Sequence, residues 1–374
     1  MSYYNIKTSN NYSSTDMEIH KNYGYSLIKL FEDMQVPAFG FKKNCGVDTS
    51  EQFHGQKLFQ NLESFQLSDN VKVFVKWYER SFSKDKMFFC KWVGTLLKES
   101  GITLSCIDKA YLNSVTEIKI LICLLSTIIF DIAEGYKDRR LLSLVLQLLR
   151  NNKTIKKICN NKIFIVKKIW DYISTEVSEY PRFIEFKDAF IFDFNQILNS
   201  AEYTYLINKH PECVNSLELE IHNDLGITVF LNNEIDLMIS PKFELSDLSN
   251  LRKIFWYAQQ MMRIDNCLLR WKKEINEKNY TSSTNTYSIS DNIKCLSYSY
   301  KLEKNELIKK AEKSDIYYDL LHKWRSYYLE INSFKNDIKS VDLGLYLEGL
   351  KNVQKYHLLF GSYLNNVNHI QTKT

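Results

Sequence analysis

At 374 residues the chain suits one large domain or two, and 45% apolar with 25% charged residues excludes a globally disordered polymer. A net charge of +5, spread over 49 basic and 44 acidic residues, is too balanced for a nucleic-acid footprint. Only 11 glycines and 4 prolines punctuate the sequence, which favours a few long helices over many short strands.

Residues 1–22 are polar, lack a basic-then-apolar targeting pattern, and read as a loose tail ahead of a single domain over 23–374. Val71, Phe74, Val75, Tyr78 and Phe82 recur at three- and four-residue spacing and predict a helix. The stretch VTEIKILICLLSTIIFDIAEGY is apolar on nearly every side until Asp131, the pattern of a helix at the middle of a bundle. Its unbroken apolar run, 120–130, is about half the roughly twenty residues a bilayer span needs. The expectation is a soluble, cytoplasmic protein without a transmembrane segment. Further helices are predicted over 141–150, 155–176, 182–208, 216–237, 246–278, 303–336 and 341–368. DLGITVFLNNEIDLMISP could pass locally as a strand, but Pro241 ends it and its helical neighbours draw it toward helix. The long polar joint over 279–302 has the length of a lid loop. The expected architecture is all-α: an antiparallel helical bundle around a central apolar pocket. Eight scattered cysteines without a C-x-x-C motif read as small buried hydrophobes in a reducing compartment. The seven histidines show no zinc-ligand spacing.

Two polar stripes interrupt the apolar helices. Asp131, Glu134 and Asp138 stand at i, i+3, i+7 and would share one helix face. Carboxylates held on one rigid element suit a hard dication such as Mg²⁺. The plain reading is a helix end surfacing into water, with KDRR forming ordinary surface pairs. On a later helix, Asn266, Arg270 and Glu274 stand at i, i+4, i+8, and Arg263 and Gln259 extend that face backward. Its plain reading is a solvated face with an Arg–Glu pair contributing about 0.3–0.5 kcal/mol.

Taken together, the two stripes resemble the class I terpene synthases over roughly residues 50–365. In that all-helical family an aspartate-rich D-D-x-x-[DE] motif and an N-x-x-x-[ST]-x-x-x-E motif face each other across a deep pocket. Here the first motif reads Phe130-Asp131-Ile132-Ala133-Glu134, and the second reads Asn266, Arg270, Lys273, Glu274. The resemblance implies that Asp131, Glu134, Asn266 and Glu274 are catalytic metal ligands for Mg²⁺. It also implies that Arg263, Arg270, Lys273 and Arg325 bind the diphosphate of a prenyl substrate. Phe130 replaces a metal-bridging aspartate and Arg270 replaces a hydroxyl, and a guanidinium has no lone pair for a metal.

The implied reaction is ionisation of a linear C20 or C15 prenyl diphosphate, followed by cyclisation of the carbocation: a lyase of isoprenoid biosynthesis. Developing charge on the leaving group would be met by metal ions and arginines. Phe190, Phe192, Phe194, Tyr203, Phe230, Phe255 and Trp271 are candidate lining aromatics, with core packing as their plain reading. His222 and Asn223 sit in a predicted helix and could face the pocket; a satisfied core histidine is the plain alternative. Arg182 is a more distant diphosphate candidate. Two other readings stay open: an impaired homologue that binds a prenyl diphosphate or lipid without turnover, and a non-enzymatic helical interaction protein. No nucleic-acid partner is expected, and a homodimer is allowed.

Overall fold

The computed structural model describes residues 60–82, 86–135, 138–151, 160–213, 215–223, 227–276 and 316–371, without the side chains of 135, 151, 211, 216, 220, 223, 269–276, 316–318 and 358–371. The expected tail and the lid over 279–302 lie outside the described residues. Among the described residues every regular element is a helix and there is no strand. After a helical turn over 60–64 come α1 (Asp69–Phe82), α2 (Met87–Glu99), α3 (Leu112–Gly135), α4 (Arg139–Asn151), α5 (Asn161–Ser178) and α6 (Phe183–Lys209). Then follow α7 (Ser216–Asn223), α8 (Val229–Met238), α9 (Leu248–Asn276), α10 (Ile316–Ser333) and α11 (Leu343–Gln371).

The uniformly apolar stretch is the centre of the bundle. Helix α3 packs against α2, α5, α6 and α8, which enclose it from Ile118 onward, while its first residues, Leu112 and Asn113, stay exposed. Ile118, Leu121, Leu125, Ile128, Ile129 and Ile132 are all buried in the one large core cluster. Burying such a side chain is worth about 1.5–3 kcal/mol. A second group, α9 with α10 and α11, closes the other side. The chain is a single-domain, all-α bundle.

Two expectations need correction. The helix predicted over 216–237 is two helices: α7 stops at Asn223, and Ile227 and Thr228 are not helical before α8 begins. Thr228 stands at the start of α8, yet its hydroxyl meets the Cys123 thiol at 3.3 Å and the Asn232 amide at 3.2 Å instead of capping backbone N–H groups. Asp138 does not continue the face of Asp131 and Glu134. Helix α3 ends at Gly135, and Asp138 precedes α4, where its carboxylate accepts from the Leu141 N–H at 3.0 Å. An aspartate there satisfies an orphan donor of the first turn, so sequence spacing across a helix break mimicked a shared face.

Two glycines mark close approaches. Gly349 on α11 lies against the Gly101 turn, where an added Cβ would come within 2.7 Å of the Gly101 carbonyl carbon and oxygen. Gly101 itself has φ +80°, in the left-handed region glycine favours. The cysteines with described side chains, Cys90, Cys106, Cys123, Cys213 and Cys267, are free thiols. No helix among the described residues is long and apolar enough to cross a membrane.

Candidate functional site

Asp131 is buried, and its carboxylate is already engaged. The Tyr78 hydroxyl of α1 donates to Oδ2 at 2.6 Å. Lys86 Nζ, from the residue that opens α2, lies 3.3 Å from the same oxygen. Lys86 is fully buried, and its ammonium also lies 5.5 Å from the Tyr78 ring centroid. Burial, and then the neighbouring Asp131 charge, holds the Tyr78 hydroxyl far above the usual phenol range, so it stays a donor. A carboxylate balanced by an ammonium and a phenol has little left to offer a dication, since the cation's charge is already supplied. Glu134 is half-buried one turn further along α3.

The second stripe climbs toward the same end of the bundle. Helix α8 runs antiparallel to α3: Lys119 Nζ meets Asp236 at 2.6 Å, and Cys123 meets Thr228. It also runs antiparallel to α9: Arg252 meets Glu234 at 2.7 Å, and Phe255 packs edge-on to Phe230 with centroids 6.0 Å apart. Hence α3 and α9 are parallel, with α8 between them at one end. From Lys119 to Asp131 and from Arg252 to Arg263, each helix rises by about 17–18 Å at 1.5 Å per residue. Asp131 and Arg263 therefore lie at about the same height. Arg263 is buried and Asn266 half-buried on α9, and Arg325 is half-buried on α10. The backbones of Arg270, Lys273 and Glu274 continue α9, but their side chains lie outside the described residues. Among the described residues, no group of three or more His, Cys, Asp or Glu is arranged to hold a metal ion.

Helices α6, α8 and α9 build a different polar centre, one the sequence reading missed. Arg252 gives Nη1 to Asp193 and Glu234, each at 2.7 Å, and Nη2 to the other Asp193 oxygen at 3.0 Å. Its guanidinium also lies over the Phe230 ring, 4.9 Å from the centroid. Burial first, and then the adjoining Asp193 side chain, pushes the Glu234 carboxyl well above its usual range. Asp193 and Arg252 line a half-open pocket of about 310 Å³, together with Phe192, Gln196, Ile197, Ile227, Phe230, Leu231, Trp256 and Gln259.

The remaining candidates have structural partners. Phe190 and Phe194 stack on Trp170 in the core, and Phe255 is fully buried; of the aromatics read as lining, Phe192 and Phe230 reach the pocket. Tyr203 packs against His222, with ring centroids 4.8 Å apart. The side chains of Asn223 and Trp271 lie outside the described residues. Arg182 ties the start of α6 to the turn after α8, donating to the carbonyls of Ser240 at 2.7 Å and Phe243 at 2.8 Å.

A lone charge inside an apolar run was the signal for one missed pair. Lys119 in EIKILICLL and Asp236 in EIDLMIS each have hydrophobic neighbours on both sides, and each is the other's partner. The chain matches no protein-family model and no curated protein. Its functional reading comes from its own residues.

Proposed function

We propose that this chain is a terpene-synthase-like binding protein that holds a prenyl diphosphate without ionising it. The observation that carries the reading is the buried Lys86–Asp131–Tyr78 cluster, in which the surviving aspartate of the first stripe is already neutralised. Phe130 removes the neighbouring carboxylate, so that stripe supplies one engaged acid and Glu134. The residues read as diphosphate partners do not depend on a metal. Arg263, Arg270 and Lys273 form a cationic line on α9, and Arg263 stands level with the α3 cluster. Cationic side chains can hold a diphosphate by charge-assisted hydrogen bonds. Ionising the allylic C–O bond needs a greater concentration of positive charge at the leaving group, which metal ions ordinarily supply. The all-α frame and the common end of the two stripes support the choice of ligand.

The test is calorimetric titration with farnesyl and geranylgeranyl diphosphate, with Mg²⁺ or with a chelator, alongside gas chromatography of long incubations. The expected result is binding of about equal affinity in both buffers and no hydrocarbon or alcohol product. Mg²⁺-dependent product would restore the cyclase reading, and absence of binding by either diphosphate would remove the ligand assignment.

A further inference from the structure

A groove of about 400 Å³, within the usual range for small-molecule sites, opens between the start of α4 and the last turns of α6. Two of its lining cations, Arg139 and Lys209, stand by one aromatic ring. The Arg139 guanidinium carbon lies 5.2 Å and Lys209 Nζ 6.0 Å from the Tyr205 centroid. Laid end to end, those distances put the two cations at most about 11 Å apart. Both are open to solvent: the Arg139 side chain is 50% exposed, and Lys209 is exposed. Beside them the groove offers apolar surface. Leu206 is 42% exposed, and Tyr203 has its hydroxyl enclosed, so only its ring can face a ligand.

The charges in this groove do not cancel. Glu202, the one acid in the lining, accepts from Arg139 Nη2 at 2.6 Å and from Arg150 Nη2 at 3.3 Å. Arg139 Nε and Nη1, and Lys209 Nζ, have no hydrogen-bond acceptor among the described residues. Two arginines and a lysine against one carboxylate leave an excess of two positive charges. The flanking acids do not line the groove and are engaged elsewhere: Asp138 accepts from the Leu141 N–H, and Glu212 stands 3.1 Å from His210 Nδ1.

We infer that this groove binds a phosphate monoester carried on a small aromatic or apolar body. Such a group brings a charge of about −1.5 to −2 at neutral pH, which matches the excess. Arg139 and Lys209 donate charge-assisted hydrogen bonds to its oxygens, and the body lies on Leu206 and the Tyr203 ring. Glu202 is a positioning residue: it fixes the Arg139 guanidinium through one nitrogen and leaves the others for the ligand. The site uses none of the cations on α9 and stands or falls without them.

Three probes separate charge from body: phenyl phosphate, inorganic phosphate and phenol, titrated into the full chain and read by ligand-observed ³¹P and ¹H NMR. Phenyl phosphate is expected to bind about three- to tenfold more tightly than inorganic phosphate, the range of one or two buried methylene equivalents, and far more tightly than phenol. Lys209→Gln should weaken phenyl phosphate about fivefold, the effect of one exposed charge in contact, and Lys209→Arg should restore it. Arg139→Gln should act in the same direction. Leu206→Asn should bring the two phosphates toward equal affinity while leaving inorganic phosphate unchanged. Phenyl phosphate that fails to bind, or binds no better than phenol, would overturn the assignment. So would a preference over inorganic phosphate that survives Leu206→Asn. Binding indifferent to Lys209→Gln would also overturn it, and is the result that attachment to the α9 cations would give. Lys209 is exposed and bears no ion pair among the described residues, so its readout stands even where Arg139→Gln, which also unties Glu202, fails to fold.

Discussion

Replacing Lys86 by Met, or Asp131 by Asn, should destabilise the fold far more than replacing both. The pair is fully enclosed, with side-chain exposures of 0% and 3% and a separation of 3.3 Å. At an effective dielectric of 20, two unit charges that close attract by about 5 kcal/mol, and the cost of stripping water from both ions offsets much of it. Removing one partner keeps the other's desolvation cost and loses the attraction, so each single variant should lose about 3–5 kcal/mol. The double variant has no buried charge left and should return to within about 2 kcal/mol of the wild type. Tyr78→Phe, which loses a hydrogen bond to a charged group, should cost about 1.5–3 kcal/mol. The assay is urea unfolding followed by far-UV circular dichroism and tryptophan fluorescence together, with the double-mutant cycle giving the coupling. Two results would refute the reasoning: Asp131→Asn within about 1 kcal/mol of the wild type, or a double variant no more stable than the worse single one. A rise in the wild-type midpoint with Mg²⁺ that Asp131→Asn abolishes would show Asp131 serving a metal instead of Lys86.

Asp265 is buried with no cation beside it among the described residues. Burial holds its carboxyl well above the usual range, and the nearby Gln354 amide and Trp324 indole offset this only in part. An acid whose folded pKa is raised contributes stability below its unfolded pKa and loses it as pH rises through the folded value. Asp265→Asn should therefore gain on the wild type between pH 4 and pH 8 in urea midpoints; an equal difference at both pH values would contradict this. His357 has the opposite sign: burial lowers it to about 4, so the unfolded chain takes up its proton first as pH falls from about 6.5, and stability drops. His357→Gln should flatten the acid limb of the stability curve between pH 6.5 and 4, and an unchanged limb would count against a buried neutral imidazole. Gly349→Ala would push a Cβ to within 2.7 Å of the Gly101 backbone, which cannot give as a flexible side chain can. A loss of about 1–3 kcal/mol is expected in thermal or urea unfolding, against no more than a few tenths if the turn shifts freely.

What was legible in the sequence followed periodicity, and what was not followed partnership. The apolar run around Leu121 announced a central helix because no face of it could meet water, and α3 does lie at the middle. The extents of α6, α9 and α11 were readable from scarce breakers and steady three-four spacing, whereas α5, expected over 155–176, begins only at Asn161, after Asn160 caps it. The split between α7 and α8 was hidden because the residues on both sides keep a helical texture, and Thr228 carries no capping hydrogen bond that the sequence could have announced. Asp131 was rightly singled out as an acid at an odd place. Whether such an acid waits for a metal or is spent on an ammonium depends on which side chain approaches from elsewhere in the chain. Lys86, 45 residues earlier, stands where the polar SKD gives way to MFF, and nothing in that local sequence names Asp131 as its partner. Asp193, Glu234 and Arg252 were overlooked for the same reason: each occupies an unremarkable helical position, and only the meeting of three helices makes them one hydrogen-bonded group. A sequence pattern can thus locate a charge that needs a partner, while the partner's identity, and with it the difference between a metal ligand and a structural ion pair, is decided by tertiary packing alone.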